Sequence, residues 1–141
     1  MARGSISHIV LTVSDLERSA TFYSKVFEFI GFKSVEVPES SQQAMKTQLK
    51  AWVGPGYSIS IRPSKGEFAR RLHDRSAPGF NHLAITAENR SDVEKLYEFL
   101  KQIGATILDA PAEYPYSPGY FAVYFTDPDG LKFEFAYAAK P

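Results

Sequence analysis

An internal repeat is the feature that most limits what this chain can fold into. Its two halves carry matching residues at a spacing of 74 positions. The clearest matches are His8 with His82, Thr12 with Thr86, Tyr23 with Tyr97, and Gly56 with Gly130. Self-similarity at a fixed spacing indicates that one structural unit occurs twice. We therefore expect two modules of the same architecture.

Each copy begins with the pattern of a strand followed by a helix. In the first copy, ISHIVLTV predicts the strand, and SDLERSATFYSKVFEFIG has apolar residues at helical spacing. In the second copy, GFNHLAIT predicts the strand and RSDVEKLYEFLKQIG the helix. Ser14 with Glu17, and Ser91 with Glu94, are expected to form capping boxes at the two helix N-termini.

Three extended segments follow each helix. They are FKSVEV, MKTQLKAWV and YSISIRP in the first copy, and ATILDA, GYFAVYFT and LKFEFAYA in the second. A Pro/Gly turn, GPG or DPDG, separates the last two strands of each copy, as is typical of hairpins. We predict an α+β fold in which two paired βαβββ modules form a curved, partly open mixed sheet around a central cavity. The modules are expected at residues 1–63 and 80–141, joined by a linker at 64–79, together as one domain.

Charge and cysteine content exclude several kinds of partner and site. Sixteen basic and sixteen acidic residues give a formal net charge of zero, so no field favours nucleic acid or an anionic membrane. Because the chain has no cysteine, any metal ligands must be nitrogen or oxygen. The N-terminus lacks the apolar core of a signal peptide, and no apolar run reaches the roughly 18 residues of a membrane helix. We expect a cytoplasmic protein with a small-molecule partner.

Two histidines and a glutamate stand out against the apolar strands that contain them. His82 interrupts the first strand of the second copy, and His8 occupies the same position in the first copy. Glu134 follows the DPDG turn and alternates with two phenylalanines, so its carboxylate points away from their face of the strand. The spacing of 74 carries Glu134 back to Ser60. These four residues, which come from equivalent strands, are predicted to converge on the cavity.

The sequence resembles the vicinal oxygen chelate superfamily, also called the glyoxalase, bleomycin-resistance and dioxygenase superfamily. The resemblance extends from SHIVLTVSDLERSATFYSKVF through GFNHLAIT to GYFAVYFTDPDGLKFEFAY, and the DPDG turn before Glu134 is its most specific part. It implies a homodimer and one divalent metal ion, which is Fe, Mn, Ni, Zn or Co. The metal ligands implied here are His8, His82 and Glu134. Such a set leaves coordination positions open for a substrate.

Departures from the family pattern bear on the reaction. Enzymes of the glyoxalase I branch carry a second carboxylate where this chain has Ser60, which disfavours a glyoxalase I or epimerase activity. The extradiol dioxygenase signature matches from Tyr124 to Glu134, but its upstream histidine is missing. The fosfomycin transferases bind a phosphonate through cations, for which the candidates are Lys46, Arg62 and Lys132. A dioxygenase, a lyase or isomerase, and a thiol transferase all stay open.

The stretch EYPYSPGYFAVYF is predicted to line the cavity with phenol groups. Tyr120 and Tyr124 share one strand face, and together with Trp52 and Ser60 they are expected to contact the substrate. Glu134 and Tyr124 are expected to be catalytic. We predict a metal-dependent enzyme acting on a small oxygen-bearing substrate that chelates the ion. The alternative is a non-catalytic binding protein of the bleomycin-resistance type, which would not need the three ligands.

Overall fold

Two compact units make up the chain, at residues 1–71 and 72–141. The computed structural model describes residues 2–139. Each unit contains one βαβββ module with a four-stranded mixed sheet and a long helix, which confirms the predicted α+β class. The boundary between the units falls inside the predicted linker, next to a short 3₁₀ helix at Gly66–Arg70. Within the described residues, no helix is long and apolar enough to cross a membrane.

The first module contains four strands and two helices. In chain order these are β1 (His8–Val13), α1 (Leu16–Phe29), β2 (Lys33–Val35), α2 (Glu39–Met45), β3 (Lys50–Val53) and β4 (Ser58–Pro63). The strands lie in the order β1, β4, β3, β2. β1 is parallel to β4, and the other neighbouring strands are antiparallel.

The second module has the same topology without the short extra helix. Its elements are β5 (His82–Thr86), α3 (Arg90–Gln102), β6 (Thr106–Glu113), β7 (Phe121–Thr126) and β8 (Lys132–Tyr137). The strands lie in the order β5, β8, β7, β6, again with the first pair parallel and the others antiparallel. The pairing of β6 with β7 contains two register shifts, so the edge strand β6 is irregular.

The pairing register shows that the repeat is structural as well as sequential. Val10 pairs with Ser60 in the first module, and Ala84 pairs with Glu134 in the second. Each residue pair between β5 and β8 corresponds to a pair between β1 and β4, with both residue numbers higher by 74. Ser60 is therefore the structural equivalent of Glu134, as the spacing predicts.

Both predicted capping boxes are wrong, because Asp15 caps α1 and a capping box of Asn89 with Asp92 begins α3. The Asp15 carboxylate accepts a hydrogen bond from the Arg18 backbone N–H at 3.0 Å at the start of α1. The hydroxyl of Ser14 accepts from the Arg18 guanidinium instead. At the start of α3, the Asp92 carboxylate accepts from the Asn89 backbone N–H at 3.2 Å. Carboxylates suit these positions because the helix N-terminus is positively polarised.

The third strand begins later than the sequence predicts. Residues from Met45 were expected to be extended, but Met45 ends α2, and β3 begins only at Lys50. Gln42 closes the intervening segment into a compact loop. Its amide nitrogen donates to the Val37 carbonyl at 3.0 Å, and its amide oxygen accepts from the Leu49 N–H at 2.9 Å. Side-chain bonds of this kind do not appear in the hydrophobic period of a sequence.

The core of the first module lies between α1 and one face of the sheet. Trp52 is 1% exposed, and its ring lies 6.0 Å from that of Tyr23 and 5.5 Å from that of Phe27. In the second module, α3 contacts β6, β7 and β8, and the rings of Phe125 and Phe133 stack at 5.6 Å. Each helix therefore covers one face of its own sheet.

The predicted ligand histidines lie on the other face of these sheets. Alternate residues of β1 and β5 stay exposed while their neighbours pack into the core. The exposed residues are His8, Val10 and Thr12 in β1, and His82, Ala84 and Thr86 in β5. Each sheet therefore has one face that no helix of the described residues covers, and we call this surface the helix-free face.

Candidate functional site

Glu134 is the central residue of the candidate site in the second module. It lies in β8, where it pairs with Ala84 of β5 on one side and Tyr124 of β7 on the other. Its side chain is 4% exposed. A buried carboxylate loses its hydration and therefore needs hydrogen-bond donors or cations around it.

Two phenol hydroxyls bind the same oxygen of Glu134. Tyr120 donates to Oε1 at 2.5 Å, and Tyr124 donates to it at 2.8 Å. Burial first, and then the hydrogen bond to Glu134, raises the pKa of both phenols well above the ordinary tyrosine value. Both groups therefore remain protonated donors at neutral pH and cannot serve as bases there.

The other oxygen of Glu134 faces His82. Nε2 of His82 lies 3.4 Å from Oε2, and Nδ1 on the opposite side of the ring lies 2.7 Å from Oδ1 of Asn81. The Asn81 amide nitrogen donates to the Arg75 carbonyl at 3.1 Å, which leaves the amide oxygen to accept from His82. With Nδ1 as the donor, the neutral imidazole presents the lone pair of Nε2 to Glu134.

This pair of atoms fits a divalent metal ion. A lone pair and a carboxylate oxygen 3.4 Å apart repel each other unless positive charge lies between them. Imidazole nitrogen and carboxylate oxygen bind zinc-like ions at about 2.0–2.2 Å, which separates two tetrahedral ligands by about 3.4 Å. The donor types and the spacing of His82 and Glu134 therefore fit a divalent ion, and the metal itself stays a prediction.

His8 has one contact in common with His82, at Nδ1 of each ring. Its Nδ1 lies 3.1 Å from the Ser7 hydroxyl, so each histidine contacts the side chain of the residue that precedes it. Across residues 2–139, no three or more His, Asp or Glu side chains are grouped so that they could hold a metal ion. The second module brings together His82 and Glu134, and the three-ligand set that includes His8 stays a prediction.

Asn81 is the site residue that the sequence analysis missed. The repeat contained a signal for it, because Ser7 and Asn81 are polar residues that precede the two repeated histidines at the same spacing of 74. A second partner that orients a ligand histidine is common in metal sites and sets which ring nitrogen is free. A polar residue directly before a candidate ligand histidine is therefore a signal for a partner that orients the ring.

Four tyrosines form a packed cluster beside Glu134. Tyr114 stacks on Tyr116 with ring centroids 5.4 Å apart, and it meets Tyr124 edge-on at 5.5 Å. Tyr116 meets Tyr120 edge-on at 5.2 Å. We call these four residues the tyrosine cluster. The sequence predicted phenols at the site, and the structure shows that the rings pack on one another as well as on the sheet.

Lys132 places a positive charge on the same face as Glu134. Its Nζ lies 4.6 Å from the centroid of the Tyr124 ring, and it pairs with His82 across the parallel strands. The other two candidate cations belong to the first module. Arg62 lies in β4 opposite Thr12, and Lys46 follows the end of α2. Of the three, Lys132 is the cation that contacts a residue of the candidate site.

The two predicted substrate contacts of the first module lie on opposite faces of its sheet. Ser60 is partly exposed on the helix-free face, where it pairs with Val10. Trp52 pairs with Ile59, which is fully buried, and therefore points into the core against α1. The expectation that Trp52 contacts the substrate is corrected by this burial.

A family model covers nearly the whole chain. The family model described as Glyoxalase/Bleomycin resistance protein/Dioxygenase superfamily matches residues 5–135, and the chain belongs to this superfamily. The chain is 30% identical over 129 residues to the uncharacterised protein YqjT of Bacillus subtilis, covering 90% of this chain and 94% of that protein. It is also 30% identical over 131 residues to metallothiol transferase FosB of Lysinibacillus sphaericus, covering 93% of this chain and 80% of FosB.

A solved structure of a more distant relative has the same fold. It is a mutant of the fosfomycin resistance protein FosX from Listeria monocytogenes, complexed with Mn(II) and 1S,2S-dihydroxypropylphosphonic acid. The alignment has a TM-score of 0.72 at 22% identity and covers 99% of this chain and 95% of that one. The superfamily predicted from the sequence is confirmed by the family model. Of the similar proteins, FosB is named a metallothiol transferase, and the FosX mutant was solved with Mn(II).

Proposed function

We propose that this protein is a metal-dependent enzyme in which His8, His82 and Glu134 hold one divalent ion. The observation that carries the proposal is the approach of His82 Nε2 to the buried Oε2 of Glu134 at 3.4 Å. Three protein ligands leave positions open for a substrate that offers oxygen atoms. When bound, such an ion acts as a Lewis acid and stabilises negative charge that develops on a substrate oxygen.

The residues around the ligands support this role. Asn81 orients the ring of His82 so that Nε2 faces Glu134, and the two phenols of Tyr120 and Tyr124 hold Glu134 in place. Glu134 is the single carboxylate at the paired positions, since Ser60 replaces its equivalent in the first module. An isomerisation that needs a second carboxylate as a proton carrier is therefore disfavoured.

The substrate that we propose is a small anion that binds through oxygen, and a phosphonate is the best candidate. Lys132 offers an ammonium group on the face that carries Glu134 and His82. An ammonium favours a charged oxygen over a neutral hydroxyl. FosB is named as a metallothiol transferase and FosX was solved with a phosphonic acid, which favours thiol transfer to a phosphonate over a dioxygenase or lyase reaction.

Metal loading tests the proposed function. The protein is expected to bind about one divalent ion per chain after incubation with Mn²⁺, Fe²⁺, Co²⁺, Ni²⁺ or Zn²⁺, measured by elemental mass spectrometry. His82→Ala and His8→Ala should each lower the affinity for the ion at least about 100-fold, because each removes a direct ligand. Loss of a residue that only hydrogen-bonds to a ligand already lowers the affinity about 10- to 100-fold. His73→Gln is the matched control, since Nε2 of His73 binds the Phe80 carbonyl instead.

The outcome also decides between the two classes of function. If the protein stays metal-free with every ion, the enzyme proposal fails and the non-catalytic binding protein takes its place. Metal binding that survives both His82→Ala and His8→Ala would show that the ion binds elsewhere.

The charge of the substrate is tested at Lys132. Lys132→Met keeps the length of the side chain and removes its charge, so binding of methylphosphonate to the Mn²⁺-loaded protein should weaken about 5- to 10-fold. Isothermal titration calorimetry measures this change. Lys95→Met is the control, because Lys95 is an exposed cation on α3. Equal affinity in Lys132→Met and the unaltered protein would contradict the proposed contact.

A further inference from the structure

We infer that Tyr120 and Tyr124 are positioning residues that make Glu134 bind the metal ion through one oxygen only. The inference rests on the proposed function, because it concerns the same metal site. Both phenols donate to Oε1, at 2.5 Å and 2.8 Å, whereas Oε2 faces Nε2 of His82. The two oxygens of this carboxylate therefore have different tasks.

The hydrogen-bonding capacity of Oε1 explains this division. A carboxylate oxygen accepts through about two lone-pair positions, and the two phenols of Tyr120 and Tyr124 fill both. An ion bound to both oxygens of Glu134 would have to displace at least one hydroxyl. The displaced hydroxyl would lose its partner beside a side chain that is 4% exposed, where water cannot easily replace it. Binding through Oε2 alone avoids that loss.

Ring packing holds the two phenols in place. Tyr124 is 7% exposed and meets the ring of Tyr114, while Tyr120 meets the ring of Tyr116. The backbone N–H of Tyr114 donates to the Tyr120 carbonyl at 3.1 Å, which ties the two ends of the connecting loop together. The donors are therefore oriented before an ion arrives, as a preorganised metal site requires.

One-oxygen binding has a consequence for the substrate. A carboxylate that binds through both oxygens occupies one more position on the ion than a carboxylate that binds through one. By occupying Oε1, Tyr120 and Tyr124 keep that position open for a substrate oxygen. Both tyrosines thus act through Glu134, whereas the sequence analysis expected them to contact the substrate.

Metal titration of tyrosine-to-phenylalanine variants tests the inference. The double variant Tyr120→Phe with Tyr124→Phe keeps both rings and should bind Co²⁺ about 10- to 100-fold more weakly than the unaltered protein, as is typical when outer partners are lost. Each single variant should show a smaller loss, since one donor remains. Competition with a chromogenic chelator measures the affinities. Tyr114→Phe is the matched control, because Tyr114 belongs to the same cluster and its ring packing is retained.

The visible absorption of bound Co²⁺ gives a readout that a loss of stability alone would not change. In the double variant Glu134 is free to bind through both oxygens, which raises the coordination number of the ion and weakens its d–d absorption bands. Thermal unfolding of the metal-free variants checks that each protein is folded.

The possible results separate this inference from the proposed function. If the double variant matches the unaltered protein in affinity and in its Co²⁺ spectrum, while His82→Ala loses the metal, the inference is overturned and the metal site stands. If the unaltered protein binds no Co²⁺ or any other of the five ions, the proposed function fails and the inference fails with it. An equal loss in Tyr114→Phe would show that the two hydroxyls bound to Oε1 have no special role within the tyrosine cluster, which also overturns it.

Discussion

Replacing Glu134 with glutamine is expected to lower the affinity for the metal ion at least about 100-fold. Glutamine has nearly the same shape, and its amide oxygen can still accept hydrogen bonds from Tyr120 and Tyr124. It has no negative charge, however, and its amide nitrogen would donate to the lone pair of His82 Nε2 in place of an ion. The affinity for Mn²⁺ or Zn²⁺, measured by isothermal titration calorimetry, reports the change.

Two controls show whether this effect belongs to the site. The metal-free Glu134→Gln protein should melt within a few degrees of the unaltered protein, because the weaker hydrogen bonds from the two phenols are offset by relief of a buried charge. Glu113→Gln removes a carboxylate from the same module, where the side chain is 72% exposed, and should leave the affinity unchanged. Tight binding by Glu134→Gln would remove Glu134 from the ligand set.

Mixing two variants identifies the chain that supplies His8. Suppose that a second copy of the chain supplies His8. When His8→Ala and Glu134→Gln chains are mixed in equal amounts and exchange partners, about half of the dimers are mixed, and each mixed dimer has one intact site. About a quarter of all sites should then bind metal. If each chain completes its own site, the mixture recovers no metal binding. The measurement is metal bound per chain before and after mixing.

Trp52→Ala is expected to destabilise the protein by about 3–5 kcal/mol, which is usual for a large aromatic side chain removed from a core. Trp52 is 1% exposed and packs against Tyr23 and Phe27, so alanine would leave a cavity between α1 and the sheet. For a chain of this size the loss corresponds to a fall in Tm of roughly 10–20 °C. Differential scanning calorimetry of the metal-free protein measures it.

Trp52→Phe is the comparison that separates packing from hydrogen bonding. Nε1 of Trp52 is buried without a hydrogen-bond partner, so phenylalanine removes volume but leaves no new polar group unpaired. It should cost much less than alanine. If Trp52→Ala keeps its Tm but weakens phosphonate binding, the packing role is contradicted and Trp52 returns to the list of substrate contacts.

The sequence by itself determined the repeat, the order of the eight strands and the two long helices, and the equivalence of the strands that carry the candidate ligands. These features depend on local chemistry and fixed spacing. His8 and His82 lie at the same strand position, and the spacing of 74 carries Glu134 onto Ser60, because two copies of one module keep one register. The superfamily was also predicted from these residues, since its most specific motif, DPDG before Glu134, lies within one hairpin.

Only the tertiary structure decided which way the side chains face and what they bind. Side chains along β3 alternate between the two faces of the sheet, but this alternation does not tell which face a helix covers. Packing against α1 places Trp52 in the core. The phenols of Tyr120 and Tyr124 and the carboxylate of Glu134 come from different strands or loops, so sequence order did not reveal that both donors share Oε1. Asn81 selected the free nitrogen of His82 only because the Arg75 carbonyl orients its amide. Hydrogen bonds between residues distant in the chain form only when the fold brings their atoms together.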